Sequence, residues 1–203
     1  MSLLPTPDRM TGAAVAIEYE HHAIHAGNSF TYEHISVAAL PTVIGEETAI
    51  GFRTPLAAAG RIHMLIDVLA DDESVWELRE DPAIVLGSGS EVAPYNRFRD
   101  SANTSLMRGN DVALTANRIT TYNVAEAAAA GLAGGTVLHY ERVAIAAAAP
   151  FGSIINSLSR GLREWILAAD TEYVIIVSNL TANDTNHVIF LNWYEHIDST
   201  YKL

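Results

Sequence analysis

Four histidines near the amino terminus are the residues of this chain best suited by type and spacing to bind a metal ion. His21, His22 and His25 lie close together, and His34 follows. In a helix, His21 and His25 would share a face at the i, i+4 spacing of zinc ligands. The flanking residues instead favour a strand, in which His21 and His22 point to opposite faces. We therefore expect no metal at His21, His22 or His25, and predict local hydrogen bonds or a subunit contact.

Acidic side chains are numerous, but they form no catalytic motif. Several cluster at predicted turns, where carboxylates are normally solvated: Asp71, Asp72, Glu73, Glu80 and Asp81. Such turns would suit calcium better than a glycosidase pair, yet the D-x-D-x-D-G pattern is missing. The sequence also lacks G-x-S-x-G, G-x-G-x-x-G and phosphate-loop motifs. With no cysteine, thiolate chemistry and disulfides are excluded. We expect neither an enzyme nor a cofactor.

The polar segment 94–109 carries the residues best suited to bind another protein. Its apolar residues show no helical or strand periodicity, which predicts a loop. An ordered loop of this length is usually functional. Arg, Tyr and Asn combine contact area with directional hydrogen bonds. The candidate interface residues are Tyr95, Asn96, Arg97, Arg99, Asn103 and Arg108. In an extended segment Arg97 and Arg99 would lie on one side, and the Asn and Ser side chains should bond the loop's own backbone. The alternative is a solvated loop with internal pairs such as Arg99 with Asp100.

Residues 1–12 are predicted to form a flexible amino-terminal arm because they contain two prolines and a glycine. Leu3 and Leu4 would be exposed in such an arm, so we expect them to contact a neighbouring protein. Residues 13–203 are predicted to form a single domain.

Composition limits the partners. The 203 residues include 24 acidic and 12 basic side chains, a formal charge of −12. This balance argues against nucleic acid or an anionic membrane as a partner. No secretory signal or transmembrane segment is predicted. The absence of cysteine fits folding in a reducing cytosol.

Runs of alternating apolar and polar residues, joined in the last third of the chain by segments rich in Val, Ile, Trp and Tyr, predict about ten short strands. This pattern is typical of an all-β, antiparallel sandwich of jelly-roll type. The predicted strands are residues 14–19, 29–34, 61–69, 74–79, 118–124, 136–147, 164–167, 173–178 and 187–194. The acidic break between 61–69 and 74–79 predicts a hairpin. Residues 127–130 are four alanines followed by Gly131, which predicts a loop rather than a helix.

Five segments follow one another along the chain: residues 17–27 with Phe30; Thr54-Pro55 with Ile62-His63-Met64 and Val68; residues 94–105 with Asn96-Arg97 and Ser101-Ala102-Asn103-Thr104-Ser105; Glu164-Trp165-Ile166-Leu167 with Thr171-Glu172-Tyr173; and Trp193-Tyr194-Glu195-His196. In this order they resemble a family of tailed-phage virion proteins associated with the capsid. Residues 125–149 match poorly.

The resemblance implies a β-sandwich that decorates or cements the head by binding the major capsid protein. It also implies a homo-oligomer, a trimer, on the outer surface of the virion, synthesised in the host cytoplasm.

Two other functions remain open. One is a carbohydrate-binding module of a fibre or spike, in which Trp165, Trp193 and Tyr194 would form a sugar platform. Aromatic residues in strands are more often core residues, and burial of Trp76, Trp165 and Trp193 would count against this function. The other is an enzyme of cupin or glycosidase type, which requires histidines or carboxylates that converge in a pocket.

Overall fold

Strands dominate the chain in a computed structural model that describes residues 19–36, 45–110, 113–143 and 164–196. Within these residues there are two short helices, α1 (Tyr19–His25) and α2 (Val124–Ala130). The strands are β1 (Ser29–Ile35), β2 (Glu47–Arg53), β3 (Arg61–Ala70), β4 (Ser74–Glu80), β5 (Ser90–Val92), β6 (Tyr95–Asn96), β7 (Ile119–Tyr122), β8 (Thr136–Val143), β9 (Trp165–Ile166), β10 (Glu172–Asn179) and β11 (His187–His196). The predicted arm 1–12, with Leu3 and Leu4, lies outside the described residues, as does most of the predicted strand 14–19.

The strands form two antiparallel sheets. One has five strands in the order β6-β1-β11-β3-β9, and the other has six in the order β5-β7-β2-β10-β4-β8. Every strand pair within them is antiparallel. The predicted all-β antiparallel sandwich is confirmed, whereas its jelly-roll connectivity stays a prediction.

The main core lies between the two sheets. Alternate residues of β3 and β11 point into it, including Met64 and Trp193, while Phe52 and Ile175 enter from the six-stranded sheet. The burial of every second residue on β3 follows the alternation in its sequence. The apolar pattern therefore sets which side chains enter the core.

The predicted hairpin of β3 and β4 is wrong, because the two strands belong to different sheets. Ala70 at the end of β3 pairs with His187 of β11, whereas Ser74 at the start of β4 pairs with Asn179 of β10. Residues 71–73 therefore carry the chain across the sandwich. Both strands bury one face in the same core. An alternating sequence predicts which face of a strand is buried, but it does not predict which strand lies beside it.

The alanine-rich segment forms helix α2 rather than the predicted loop. Asn123 accepts from the backbone N–H groups of Ala125 and Glu126, and the Glu126 side chain accepts from the Asn123 N–H in return. This reciprocal cap fixes the first turn, and Gly131 in a left-handed conformation ends the helix. Ala127 and Ala130 pack on the outer face of the six-stranded sheet. The loop was predicted from the short run of alanines, and neither the cap at Asn123 nor the packing on the sheet was considered.

Replacing Asn123 with alanine is expected to lower the free energy of unfolding by about 1 kcal/mol, because two backbone N–H groups lose their acceptor. Equilibrium denaturation in urea measures the change. Asn123→Asp, which keeps the acceptor, should retain most of the stability. Equal stability of the alanine variant and the native protein would show that the cap contributes little.

Candidate functional site

The polar segment 94–109 begins as a short edge strand. Tyr95 and Asn96 form β6, which pairs with Phe30 and Thr31 of β1. The Arg97 N–H then donates to the Ser29 carbonyl at 2.9 Å, after which the chain leaves the sheet. The segment is therefore held to β1 at its start, and most of the remainder is irregular, as predicted.

Asparagine side chains hold the segment to its own backbone and to the turn after α1. Asn96 Nδ2 donates to the carbonyls of Gly27 and Asn103, at 2.9 and 3.0 Å. Asn96 Oδ1 accepts from the Phe98 N–H at 2.8 Å, and Asn103 Nδ2 donates to the Ala26 carbonyl at 3.2 Å. These bonds confirm the predicted Asn-to-backbone bonding and show that the loop has a defined shape.

Gly27 allows this close approach of the loop to the α1–β1 turn. Its φ of +72° is a left-handed conformation that glycine adopts without strain. A Cβ at this position would lie 2.8 Å from Cβ of Ser101 in the loop. Any larger residue would therefore push the two segments apart.

Glu195 anchors the second half of the loop to β11. Its carboxylate accepts from Ser105 Oγ at 2.6 Å, from the Leu106 N–H at 3.0 Å and from Trp193 Nε1 at 3.1 Å. Burial raises the pKa of Glu195, and the hydrogen bonds oppose this rise. No role of Glu195 was predicted from the sequence. The available signal was its register with Trp193, since residues two apart on a strand share a face.

An aromatic and cationic surface lies on the outer side of this anchored loop. Tyr95, Phe98 and Arg99 are exposed, and the Arg99 guanidinium carbon lies 5.8 Å from the centre of the Tyr95 ring. Arg97 is also exposed. The extended geometry assumed for Arg97 and Arg99 is wrong, because residues 98–101 form a turn closed by the Ser101 N–H and the Phe98 carbonyl. We call Tyr95, Arg97, Phe98 and Arg99 the loop surface.

Arg108 takes part in a separate ionic cluster. Its Nη2 donates to the Thr54 carbonyl at 2.6 Å and to Asp170 Oδ1 at 2.7 Å. Arg53 Nε donates to the same carboxylate at 3.1 Å. The hydrogen bonds from Arg108 and Arg53 hold the pKa of Asp170 below its usual value. The structure thus places Arg108 apart from the loop surface, in contacts within the chain, and its role at an interface stays a prediction.

His21, His22 and His25 lie on helix α1, so the strand predicted for this region is wrong at Tyr19–His25, whereas His34 lies on β1. The helix ends where Gly27 turns into a left-handed conformation. His22 and His25 are exposed, and the side chain of His21 lies outside the described part of the structure. Among the described residues, no group of three or more His, Asp or Glu side chains could hold a metal ion.

Chelation is expected to leave the thermal unfolding midpoint unchanged, because His22 and His25 have no described third ligand. Differential scanning calorimetry before and after dialysis against EDTA tests this. A transition metal present at one equivalent in the purified protein, with a clear loss of stability on its removal, would contradict the prediction.

A buried histidine connects the two sheets away from the loop. His187 of β11 lies with Nδ1 3.3 Å from Thr48 Oγ1 of β2 and Nε2 3.0 Å from Ser74 Oγ of β4. Burial lowers the pKa of His187 to about 4. The Ser74–His187 contact has the chemistry of a nucleophile and its base. However, both residues are 0% exposed, so no substrate reaches them in this conformation.

The tryptophans give no exposed sugar platform. Trp76 and Trp193 are buried, and Trp165 is partly buried against the core. Tyr194, the third residue suggested for a platform with Trp165 and Trp193, is also partly buried, and its hydroxyl lies 3.0 Å from His63 Nδ1. This burial counts against the carbohydrate-binding alternative.

Comparison of the chain with protein-family models, with curated proteins and with solved structures gives no match. Neither α1 nor α2, the two helices of the described residues, has the length and apolar character needed to cross a bilayer.

Proposed function

We propose that the protein is a structural component of a tailed-phage virion that decorates or cements the outer surface of the capsid. The observation that carries the proposal is the loop surface, an exposed group of Tyr, Phe and Arg on a loop held in place by Asn96, Asn103 and Glu195. Tyr and Arg are frequent centres of binding energy in protein interfaces. A loop already ordered before binding loses less entropy when it docks.

The proposed partner is the major capsid protein, and the resemblance of the five segments to capsid-associated virion proteins supports this choice. A trimer would match the local three-fold positions of a capsid lattice. Under this proposal Asn96, Asn103 and Glu195 shape the loop, whereas Tyr95, Arg97, Phe98 and Arg99 contact the capsid. The amino-terminal residues Leu3 and Leu4 would add a second contact to a neighbour.

The double substitution Arg97→Ala with Arg99→Ala is expected to weaken binding to capsids that lack the protein by about thirtyfold, or about 2 kcal/mol. Both side chains are exposed, so the fold should survive. Co-sedimentation with capsids over a range of protein concentrations gives the affinity, and circular dichroism checks the fold.

A matched control is Arg61→Ala with Arg142→Ala, which removes the same charge from exposed positions outside the loop. This control should bind capsids nearly as well as the native protein. If the loop variant and the control lose affinity equally, the effect is one of net charge. Native affinity in the loop variant would place the docking surface elsewhere, and an unfolded loop variant would make the arginines structural.

A further inference from the structure

A cavity of about 470 Å³ lies between the anchored loop, the turn before β1 and the end of β11. Its wall includes Asn28 from the turn before β1, Ala102, Asn103 and Thr104 from the loop, and Glu195 and His196 from the end of β11. The cavity is distinct from the loop surface, because none of Tyr95, Arg97, Phe98 and Arg99 lines it. Its volume is sufficient for the end of a large side chain or a small organic molecule.

Glu195 is the feature that gives this cavity a chemical preference. The residue is only 7% exposed, and its carboxylate accepts from the Ser105 hydroxyl, the Trp193 indole N–H and the backbone N–H groups of Leu106 and Met107, all uncharged donors. None of the ion pairs found among the described residues includes it. A buried carboxylate without a counter-charge is costly when ionised, and a cation placed beside it offsets that cost.

The remaining wall offers oxygen acceptors for a cation. Asn28 Oδ1 accepts one hydrogen bond, from Asn103 Nδ2 at 3.2 Å, and a carbonyl oxygen can accept a second. Thr104 adds a hydroxyl, and no Lys or Arg lines the cavity, so the basic side chain in its wall is the imidazole of His196. The formal charge of −12 for the whole chain also favours a positive ligand over a negative one.

We propose that this cavity binds the cationic end of an arginine or lysine side chain of a partner protein, with Glu195 as its counter-charge. Asn28 and Thr104 then accept from the remaining N–H groups of the cation. The inference goes beyond capsid decoration, because it concerns a second site and does not depend on which protein supplies the side chain.

The test uses two small probes with the full 203-residue chain. Nα-acetyl-arginine methylamide carries the cation, and the citrulline analogue has the same shape without the charge. Titrations followed by backbone amide NMR should show the arginine probe binding at least tenfold more tightly than the citrulline probe. Shifts should centre on Asn28, Asn103 and Thr104.

Two variants locate the binding. Ala102→Tyr fills the cavity from an exposed position and should abolish binding of the arginine probe, whereas Ala57→Tyr, also at an exposed position but outside the cavity, should not. Glu195→Gln should remove the preference for arginine over citrulline. If that variant fails to fold, the Ala102→Tyr and Ala57→Tyr pair still tests the site.

Equal binding of the two probes, no binding of either, or native binding by Ala102→Tyr would each overturn the proposal. The probes are tested on the isolated protein, so these outcomes leave the capsid-binding experiment with the loop variant unaffected.

Discussion

Replacing Trp193 with alanine is expected to lower the free energy of unfolding by about 3–5 kcal/mol, the usual cost of removing a large aromatic side chain from a core. The side chain is 2% exposed, and its ring centre lies 5.9 Å from that of Phe30. Its Nε1 also donates to Glu195, so the substitution removes a bond that positions the carboxylate to which the loop is anchored. Equilibrium unfolding in urea, followed by circular dichroism, measures the loss.

Trp165→Ala is the comparison for this prediction. Trp165 was also expected from the sequence to be a core residue, but it is only partly buried, on the short edge strand β9. Its loss should therefore cost clearly less than that of Trp193. A Trp193→Ala protein with native stability, or an equal cost for the two substitutions, would contradict this account of the core.

Lowering the pH from 7 to 4 is expected to remove about 3 kcal/mol of stability through His187 alone. Its pKa is about 4 in the folded protein and 6.5 in the unfolded chain. Between these two values the unfolded chain binds the proton and the folded protein does not. The contribution of His187 to the free energy of unfolding is therefore fully present above pH 6.5. It falls by about 1.4 kcal/mol per pH unit as the pH drops towards 4. Burial also lowers the pKa of His34, which acts in the same direction.

The His187→Gln variant isolates this effect from the other titrating groups. Glutamine can bond to a neighbouring hydroxyl but does not titrate. Urea unfolding at several pH values between 4 and 7 should show a shallower decline in the variant than in the native protein. The same decline in both proteins would mean that the acid sensitivity arises elsewhere. Asp71 and His34, whose charges act on His187, would be the next residues to replace.

The sequence alone predicts strands well where one face is buried and the other is not. β3 and β11 both alternate in burial, and both were predicted, β3 from its alternating sequence and β11 from its richness in β-branched and aromatic residues. β2 was not, because α2 and its neighbours cover the outer side of the six-stranded sheet and bury β2 on both faces. Alternation disappears in such a strand. The pairing of strands, which was predicted wrongly for β3 and β4, depends on the whole sandwich and cannot be predicted from the residues of the two strands.

The candidate site was predictable only in part. The composition of residues 94–109 indicated an ordered loop with exposed Arg and Tyr, and the described geometry agrees. The anchor Glu195 and the cavity beside it were missed, because the cavity joins segments more than 160 residues apart, as in Asn28 and Glu195. Only the fold brings such residues together. Arg108 illustrates the same limit, since its neighbour Asp170 is distant in sequence.

Strand β11 should tolerate substitutions better than insertions or deletions in its gene. Its inward residues occupy alternate positions from His187 to Glu195, and it pairs with β1 on one side and β3 on the other. Inserting or deleting one codon near its middle would turn the residues beyond that point to the opposite face. A change near residue 190 would thus displace Trp193 from the core and Glu195 from the loop together. Point substitutions in β11 should accumulate during divergence, whereas length changes should be confined to the connections between strands.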